Sequence, residues 1–472
     1  MTMISKTLTL MLVATSLATS SAALAQQPAA IPHSPGKPYA AKGIPDRVVL
    51  TPGADPSTAM AVAWRTDVRQ ADTVAELAPA VDGPSIAAFA KPVAGASLDL
   101  TTDNGPSRYH HVRFEGLTPD TAYLYRVKGA EGWSEWLQFR TAAAEAKPFT
   151  FLYFGDTQNG ILPIGSRVIR QAFMNTAAPA LAVHAGDLVA QRDDLVHDDE
   201  WGEWTQAGGY AFAMVPQLPA TGNHEYVDDI KPDGSELRRL GSHWTASFAL
   251  PGNGATEAKS TTYFSDYQGV RFIVLDGTSA IDLGTLAQQS QWLDATLAAS
   301  KADWNVVLFH QPIFTCARPN DTAELKAAWK PIFEKHNVDL VLQGHDHCYS
   351  RLTAEQGASD GRAKRASGAA QGPVYLVSVV GKKMYGLNDR AMIQPDKVAE
   401  DTELYQVFNV TPQTIGFRAF TASGKLYDSF DLTRTSDGKK LLVEQTEGLL
   451  PLRACKGAVG PDGAPCTASI KD

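Results

Sequence analysis

Apolar and polar positions alternate in short runs over residues 43–142, and the pattern then changes character. RVVLTP, AMAVAWRT, YHHVRFEGL, AYLYRVKG and SEWLQFRT are strand-length, with turn signals at Pro-Gly, Asp-Gly, Asn-Gly-Pro and Thr-Pro-Asp between them. Short alternating runs with closely spaced turns predict an all-β sandwich. AAAEAK (142–147) reads as a joining segment. Over 148–435 the strands become continuous apolar runs, as strands buried on both faces require. They are PFTFLYFGDTQ, ALAVHAGDLV, VPQLPATGNHEY, GVRFIVLDG, WNVVLFHQP and VDLVLQGHDH. LAQQSQWLDATLAAS and TAELKAAWKPIFEKHN read as helices between them. Buried strands alternating with helices predict an α/β domain. PVYLVSVVGKKMY, YQVFNVT, TIGFRAFT and KLYDSFDLT then complete it as mostly β structure.

The two ends carry other signals. Lys6 precedes an apolar stretch, Leu8 to Leu24, that ends in Ala23-Leu24-Ala25. A positive start, an apolar middle and an Ala-x-Ala end predict a cleavable signal peptide over 1–25. Thr and Ser interrupt the stretch, and no later segment offers about 20 continuous apolar residues, so no stable membrane anchor is expected. Residues 26–42, rich in Pro, Ala and Gln, read as a linker. Residues 436–472 read as a tail, poorly structured after Leu450. The expected location is periplasmic or secreted. An oxidising compartment turns the four cysteines into disulfides. Cys455 and Cys466 bracket KGAVGPDGAP and staple the tail, which leaves Cys316 with Cys348.

Composition narrows the function. A chain of 472 residues is too long for one ordinary core. Hydrophobic, aromatic and charged fractions of 44%, 9% and 20% are ordinary for a globular protein. A net charge of −9 offers no basic surface for nucleic acid. It does not argue against an anionic substrate, because bound cations would set the local field.

The candidate chemistry sits just past the strand ends, where open α/β sheets place ligands. Five strand ends deliver Asp156, Asp187, Asn223, His224, His310, His345 and His347. Gly155, Gly186, Gly222 and Gly344 stand immediately before four of these positions, as sharp turns require. Carboxylates and imidazoles are donors for borderline divalent metals. One carboxylate can bridge two ions about 3.5–4 Å apart, and a hydroxide held between them is a nucleophile at neutral pH. Singly, each motif has a plainer reading as a turn. The ordered set points to two metals.

The series GDTQ (155–158), GDLV (186–189), GNHE (222–225), VLFH (307–310) and GHDH (344–347) resembles the calcineurin-like metallophosphoesterases. With the N-terminal sandwich, whose LTPDTAYLYRV resembles fibronectin type III, the chain is most similar to purple acid phosphatases. The resemblance implies a four-layer αββα sandwich after a fibronectin III-like domain. It implies that Asp156, Asp187 and His347 hold one metal, with Asp187 bridging. Asn223, His310 and His345 would hold the other, the ions being Fe, Zn or Mn. His224 becomes the general acid or a donor to the transition state, with Glu225 either orienting it or starting a helix. Two positions depart from the family. The iron-binding tyrosine is Ala190, which predicts a colourless protein. The position two after the first Asp is Gln158, whose amide oxygen either coordinates or bonds metal-bound water. The family's extra His after VxxH is also missing, and Arg318 is the cation available to take its place. His110 and His111 read as a strand pair, His184 as a packed core residue and His197 as a loop residue without an assigned role; Lys382 and Lys383 read as a solvated turn that could also reach an anion.

The resulting expectation is hydrolysis of small phosphomonoesters. Two alternatives stay open: a diesterase acting on nucleotides or phospholipid head groups, and a non-catalytic adhesion protein.

Overall fold

The computed structural model describes residues 38–192, 195–230, 236–353, 369–370, 373–388, 395–436, 439–455, 457–467 and 469–470. The signal peptide expected over 1–25 and the linker up to residue 37 lie outside them.

The N-terminal strands form two antiparallel sheets. Asp46–Pro52, Met60–Thr66, Gly105–Phe114 and Ala96–Thr102 make one. Lys91–Ala94, Val74–Pro79, Ala122–Gly129, Gly132–Trp133 and Leu137–Arg140 make the other. Alternate residues Leu50, Val62, Trp64, Val112 and Phe114 turn inward against Tyr125, Val127 and Phe139, as period two dictates.

The second domain stacks two mixed sheets. In one, the strands run Gln217–Pro219, Leu181–His184, Phe149–Phe154, Leu404–Val410, Thr414–Thr421, Leu426–Arg434, Lys440–Glu444 and Ala369–Ala370. In the other they run Tyr263–Tyr267, Val270–Val274, Trp304–Leu308, Leu340–Gln343, Val374–Val377, Tyr349–Thr353 and Lys397–Ala399. Trp304, Val306 and Leu308 enter the core shared with Phe151, Phe272 and Phe408. Val307 and Phe309 point the other way, onto Trp329 and Phe333 of helix Ala323–Lys335 and Leu293 of helix Leu286–Ala298. Strands apolar at every position are thus explained: one face meets a sheet, the other a helix. Helices Ser166–Asn175 and Asp199–Gly208 cover the outer face of the first sheet, with Phe173 on Phe154 and Trp204 on His184. The architecture is the expected αββα sandwich behind a β domain.

Three expectations change. The main sheet runs past 435, because Lys440–Glu444 pairs with Leu426–Arg434. The segment after Leu450 is anchored rather than loose. Buried Arg453 donates to the carbonyls of Glu400 (3.1 Å), Asp401 (3.3 Å) and Pro465 (2.8 Å), and Ser469–Ile470 pairs with Tyr385–Gly386. An arginine fork supplies the order that periodicity does not announce. Tyr39, inside the expected linker, is nearly buried and bonds Gln206 at 3.2 Å. The disulfides pair as expected, Cys316 with Cys348 and Cys455 with Cys466. Among the described residues, no helix is long and apolar enough to cross a membrane.

Candidate metal centre

All seven chemistry-bearing residues converge. Strands Phe149–Phe154, Leu181–His184 and Gln217–Pro219 of one sheet deliver Asp156, Asp187, Asn223 and His224. Trp304–Leu308 and Leu340–Gln343 of the other deliver His310, His345 and His347. Donor atoms of Asp156, Asp187 and His347 lie within 4.8 Å of one another, as do those of Asp187, His310 and His345. Asp187 belongs to both groups. A third group, Cys316, Asp346 and Cys348, is spoken for, since both sulfurs are in the disulfide.

The backbone is under local constraint here. Asp187, His345 and His347 adopt left-handed φ of 49°, 69° and 49°, which costs a non-glycine residue about 1–3 kcal/mol. The preceding glycines serve two purposes. Only Gly186 uses its freedom, with φ of 86°. Gly222 and Gly344 are needed for space: an added Cβ would lie 2.1 Å from Asp187 Oδ1 and 2.4 Å from Asp156 Oδ2.

Proton positions test whether these residues fit cations. The carbonyls of Ala185 and Lys383 only accept, so His310 and His347 donate to them from Nδ1, each at 2.7 Å. A neutral ring then presents a lone pair at Nε2. His310 Nε2 faces His345 Nδ1 (3.0 Å), Asp187 Oδ2 (3.1 Å) and Asn223 Oδ1 (3.2 Å). Acceptors crowded this way need a positive charge among them. With protons alone to supply it, burial's opposing effect is outweighed by Asp187 and Asp156, and His310 is pushed up to about 9. Burial and the neighbouring Asp187 push Asp156 up to about 7, against the lowering influence of His310. Burial resists ionisation of Asp187 too, yet His310 and His224 hold it well below the usual carboxylate range. His345 and His347 are both lowered by burial first, His347 to about 3. Asp156 Oδ1 is buried without a hydrogen bond, the mark of an atom built for another partner. The donor set fits two cations. Asp156, Asp187 and His347 could hold one, and Asp187, Asn223, His310 and His345 the other.

Gln158 donates from Nε2 to Asp187 Oδ2 (2.6 Å) and lies 3.1 Å from His347 Nε2, while its Oε1 is buried without a partner. Its amide therefore stands between two atoms of the first donor group. His224 donates from Nδ1 to the carbonyl of Ala190, at the position where the resemblance expects tyrosine. Its Nε2 lies 3.9 Å from Asp187 Oδ2. Burial lowers its pKa, with Asp187 opposing.

Glu225 does not orient His224. It is buried and accepts from the backbone N–H groups of Gly222 (2.6 Å), Leu188 (2.7 Å) and Asp187 (2.9 Å). It thereby ties the GDLV loop to the GNHE loop. Burial and Asp187 push it up to about 8. Asp346 does comparable work, accepting from Cys316, Ala317 and Arg318 N–H groups. Arg318 donates to the His345 carbonyl (2.6 Å) and Asp346 (2.9 Å). His184 bonds Gln217 inside the core, and His110 bonds Thr66 and Thr73 inside the sandwich. His111 bonds the Ala246 carbonyl, and His197 lies 3.9 Å from Glu200. The first three are structural.

Residues 45–141 match the purple acid phosphatase N-terminal domain, and residues 149–349 match the calcineurin-like phosphoesterase family. An uncharacterized protein of Mycobacterium tuberculosis is 29% identical over 337 residues, 65% of this chain and 62% of that one. The chain therefore spans 62% of the length of that relative. The Fe(3+)-Zn(2+) purple acid phosphatase 12 of Arabidopsis thaliana is 25% identical over 250 residues, 51% of this chain and 52% of that one. The fold is similar to that of a purple acid phosphatase from yellow lupin seeds, with a TM-score of 0.66 and 18% identity, over 84% of this chain and 75% of that one. Residues 149–349 thus form a calcineurin-like phosphoesterase domain, and residues 45–141 in front of it match the N-terminal domain of the purple acid phosphatases.

Proposed function

We propose that this protein is an exported phosphomonoesterase with a two-metal centre. The observation that carries the reading is the sharing of Asp187 between two converging donor groups, beside a histidine that belongs to neither. When bound, two cations supply Lewis-acid activation of water and neutralise charge on the phosphoryl oxygens. The chain's own residues do the rest. Asp187 stays ionised and common to both positions. Glu225 and Asp346, each gripping backbone N–H groups of separate loops, fix the loops that carry the ligands. His224 is held at Nδ1 by the Ala190 carbonyl, so only Nε2 gains and loses a proton. In the protonated ring Nε2–H donates to the leaving oxygen as its bond to phosphorus breaks.

Export draws support from two disulfides that use all four cysteines of the chain, a pattern of oxidising compartments. The metals proposed are Fe, Zn or Mn, and Ala190 in place of tyrosine makes the protein colourless. The metal-loaded chain should hydrolyse an aryl phosphate monoester faster than the matching diester, and Asp187→Ala should abolish turnover. Normal turnover in that variant would overturn the proposal.

A further inference from the structure

The turn after strand Val374–Val377 is tied to the metal-centre loops along its length. Val380 N and Gly381 N donate to the Asp156 carbonyl at 2.8 and 2.7 Å, and Lys382 N donates to the Asn159 carbonyl at 3.3 Å. His347 donates to the Lys383 carbonyl at 2.7 Å, and Tyr385 N donates to the His347 carbonyl at 3.0 Å. Gly381 passes so close that an added Cβ would lie 2.1 Å from the Gln158 carbonyl. This is no free surface turn: it packs against two of the motif segments, GDTQ and GHDH.

The turn brings a cation with it. The Lys383 ammonium and the Arg318 guanidinium share the ring of Tyr385, each 5.6 Å from its centre. That ring lies 4.9 Å from the ring of His347. The ammonium therefore stands near the first donor group.

Three cations lie around the metal-centre loops, and two are neutralised. Arg318 pairs with Asp346 at 2.9 Å and Arg192 with Asp228 at 3.2 Å. Lys383 is half-buried and has no carboxylate partner among the described residues. Lys382 lines a separate cleft with Arg167 and Arg453. An ammonium held in place beside the site, with no protein anion among the described residues to meet it, is matched by an anion from the substrate.

We infer that Lys383 binds a free oxygen of a doubly charged phosphate and sets the preference for monoester dianions over diester monoanions. A diester carries one charge fewer and an extra substituent, so it loses most of this contact. The inference rests on the phosphoesterase reading above, and the experiment separates the two.

The full metal-loaded chain is compared with Lys383→Met and Lys383→Arg. Three quantities are measured: kcat/KM for an aryl phosphate monoester, kcat/KM for the corresponding diester, and the Kd for inorganic phosphate by calorimetry. Lys383→Met should lower monoester kcat/KM by about tenfold or more, mainly through KM, weaken phosphate by a similar factor, and change diester turnover less than about twofold. Lys383→Arg should recover most of the loss, because the charge is retained. Equal losses on both esters, or an unchanged phosphate Kd, would overturn the role of Lys383. Wild-type protein that hydrolyses neither ester would overturn the phosphoesterase reading instead, and the phosphate Kd of the variants would still decide for or against Lys383.

Discussion

At the scale of single residues, the site is a problem in where protons and positive charges go. Asp156, Asp187 and Glu225 are all buried, and burial together with the charge of Asp187 raises Asp156 to about 7 and Glu225 to about 8. Such a cluster is tolerable only with cations present. His224 bears on pH dependence. Its folded pKa lies below the ordinary 6.5 because of burial, so the proton-donating form becomes abundant only as pH falls. Turnover of substrates with poor leaving groups should therefore rise toward acid pH. His224→Ala should lower kcat for such substrates about 100- to 10,000-fold and remove that pH dependence, with a much smaller effect on good leaving groups. Rate profiles against pH for two esters of different leaving-group pKa check this. The six ligand candidates and His224 were legible because Gly-Asp, Gly-Asn-His and Gly-His-Asp-His follow apolar runs. Glu225 and Lys383 each kept two readings in the sequence, because one depends on backbone N–H groups of another loop and the other on a long-range turn. Neither partner is adjacent in sequence.

At the scale of elements, strands apolar at every position revealed themselves by composition alone, since sheet and helix bury both faces. Those with weaker signals did not. Ala96–Thr102 is polar and largely exposed, and Ser166–Asn175 lacks acidic residues in its first turn and a side-chain cap. The tail is held by Arg453 and a disulfide rather than by an apolar face. The Cys316–Cys348 bond links the loop after His310 to the residue following His347. It encloses a sequence separation of 32, for which chain-entropy arguments give about 4 kcal/mol. The double variant Cys316→Ser, Cys348→Ser should show a lower melting temperature in calorimetry. Its metal affinity should fall as well, because Asp346 and Arg318 lose a fixed loop to grip. A variant that melts earlier but binds metal as tightly as the parent would confine the bridge to a purely structural role.

At the scale of the whole molecule, the β domain is fastened to the phosphoesterase domain by buried charge. Asp198 accepts from Arg47 (2.6 and 2.7 Å), Arg65 (3.1 Å), His243 (3.0 Å) and Asn104 (3.1 Å). Burial alone would raise its pKa, but His243 and the arginines hold it below the usual range. Its contribution is therefore complete above the unfolded value of about 4 and is lost as pH falls through the folded value. Asp198→Ala leaves the buried Arg47 guanidinium without a carboxylate, while Arg65 keeps Asp46, and should cost about 3–5 kcal/mol near neutral pH. Denaturant unfolding should find this gap narrowing in acid. The central claim, two cations sharing Asp187, is tested most directly by metal content per folded chain. Elemental analysis of reconstituted protein should find two ions in the wild type and fewer than two in Asp156→Ala. Asp187→Ala should lose both. Two ions retained by Asp187→Ala, or no more than one in the wild type, would contradict the account.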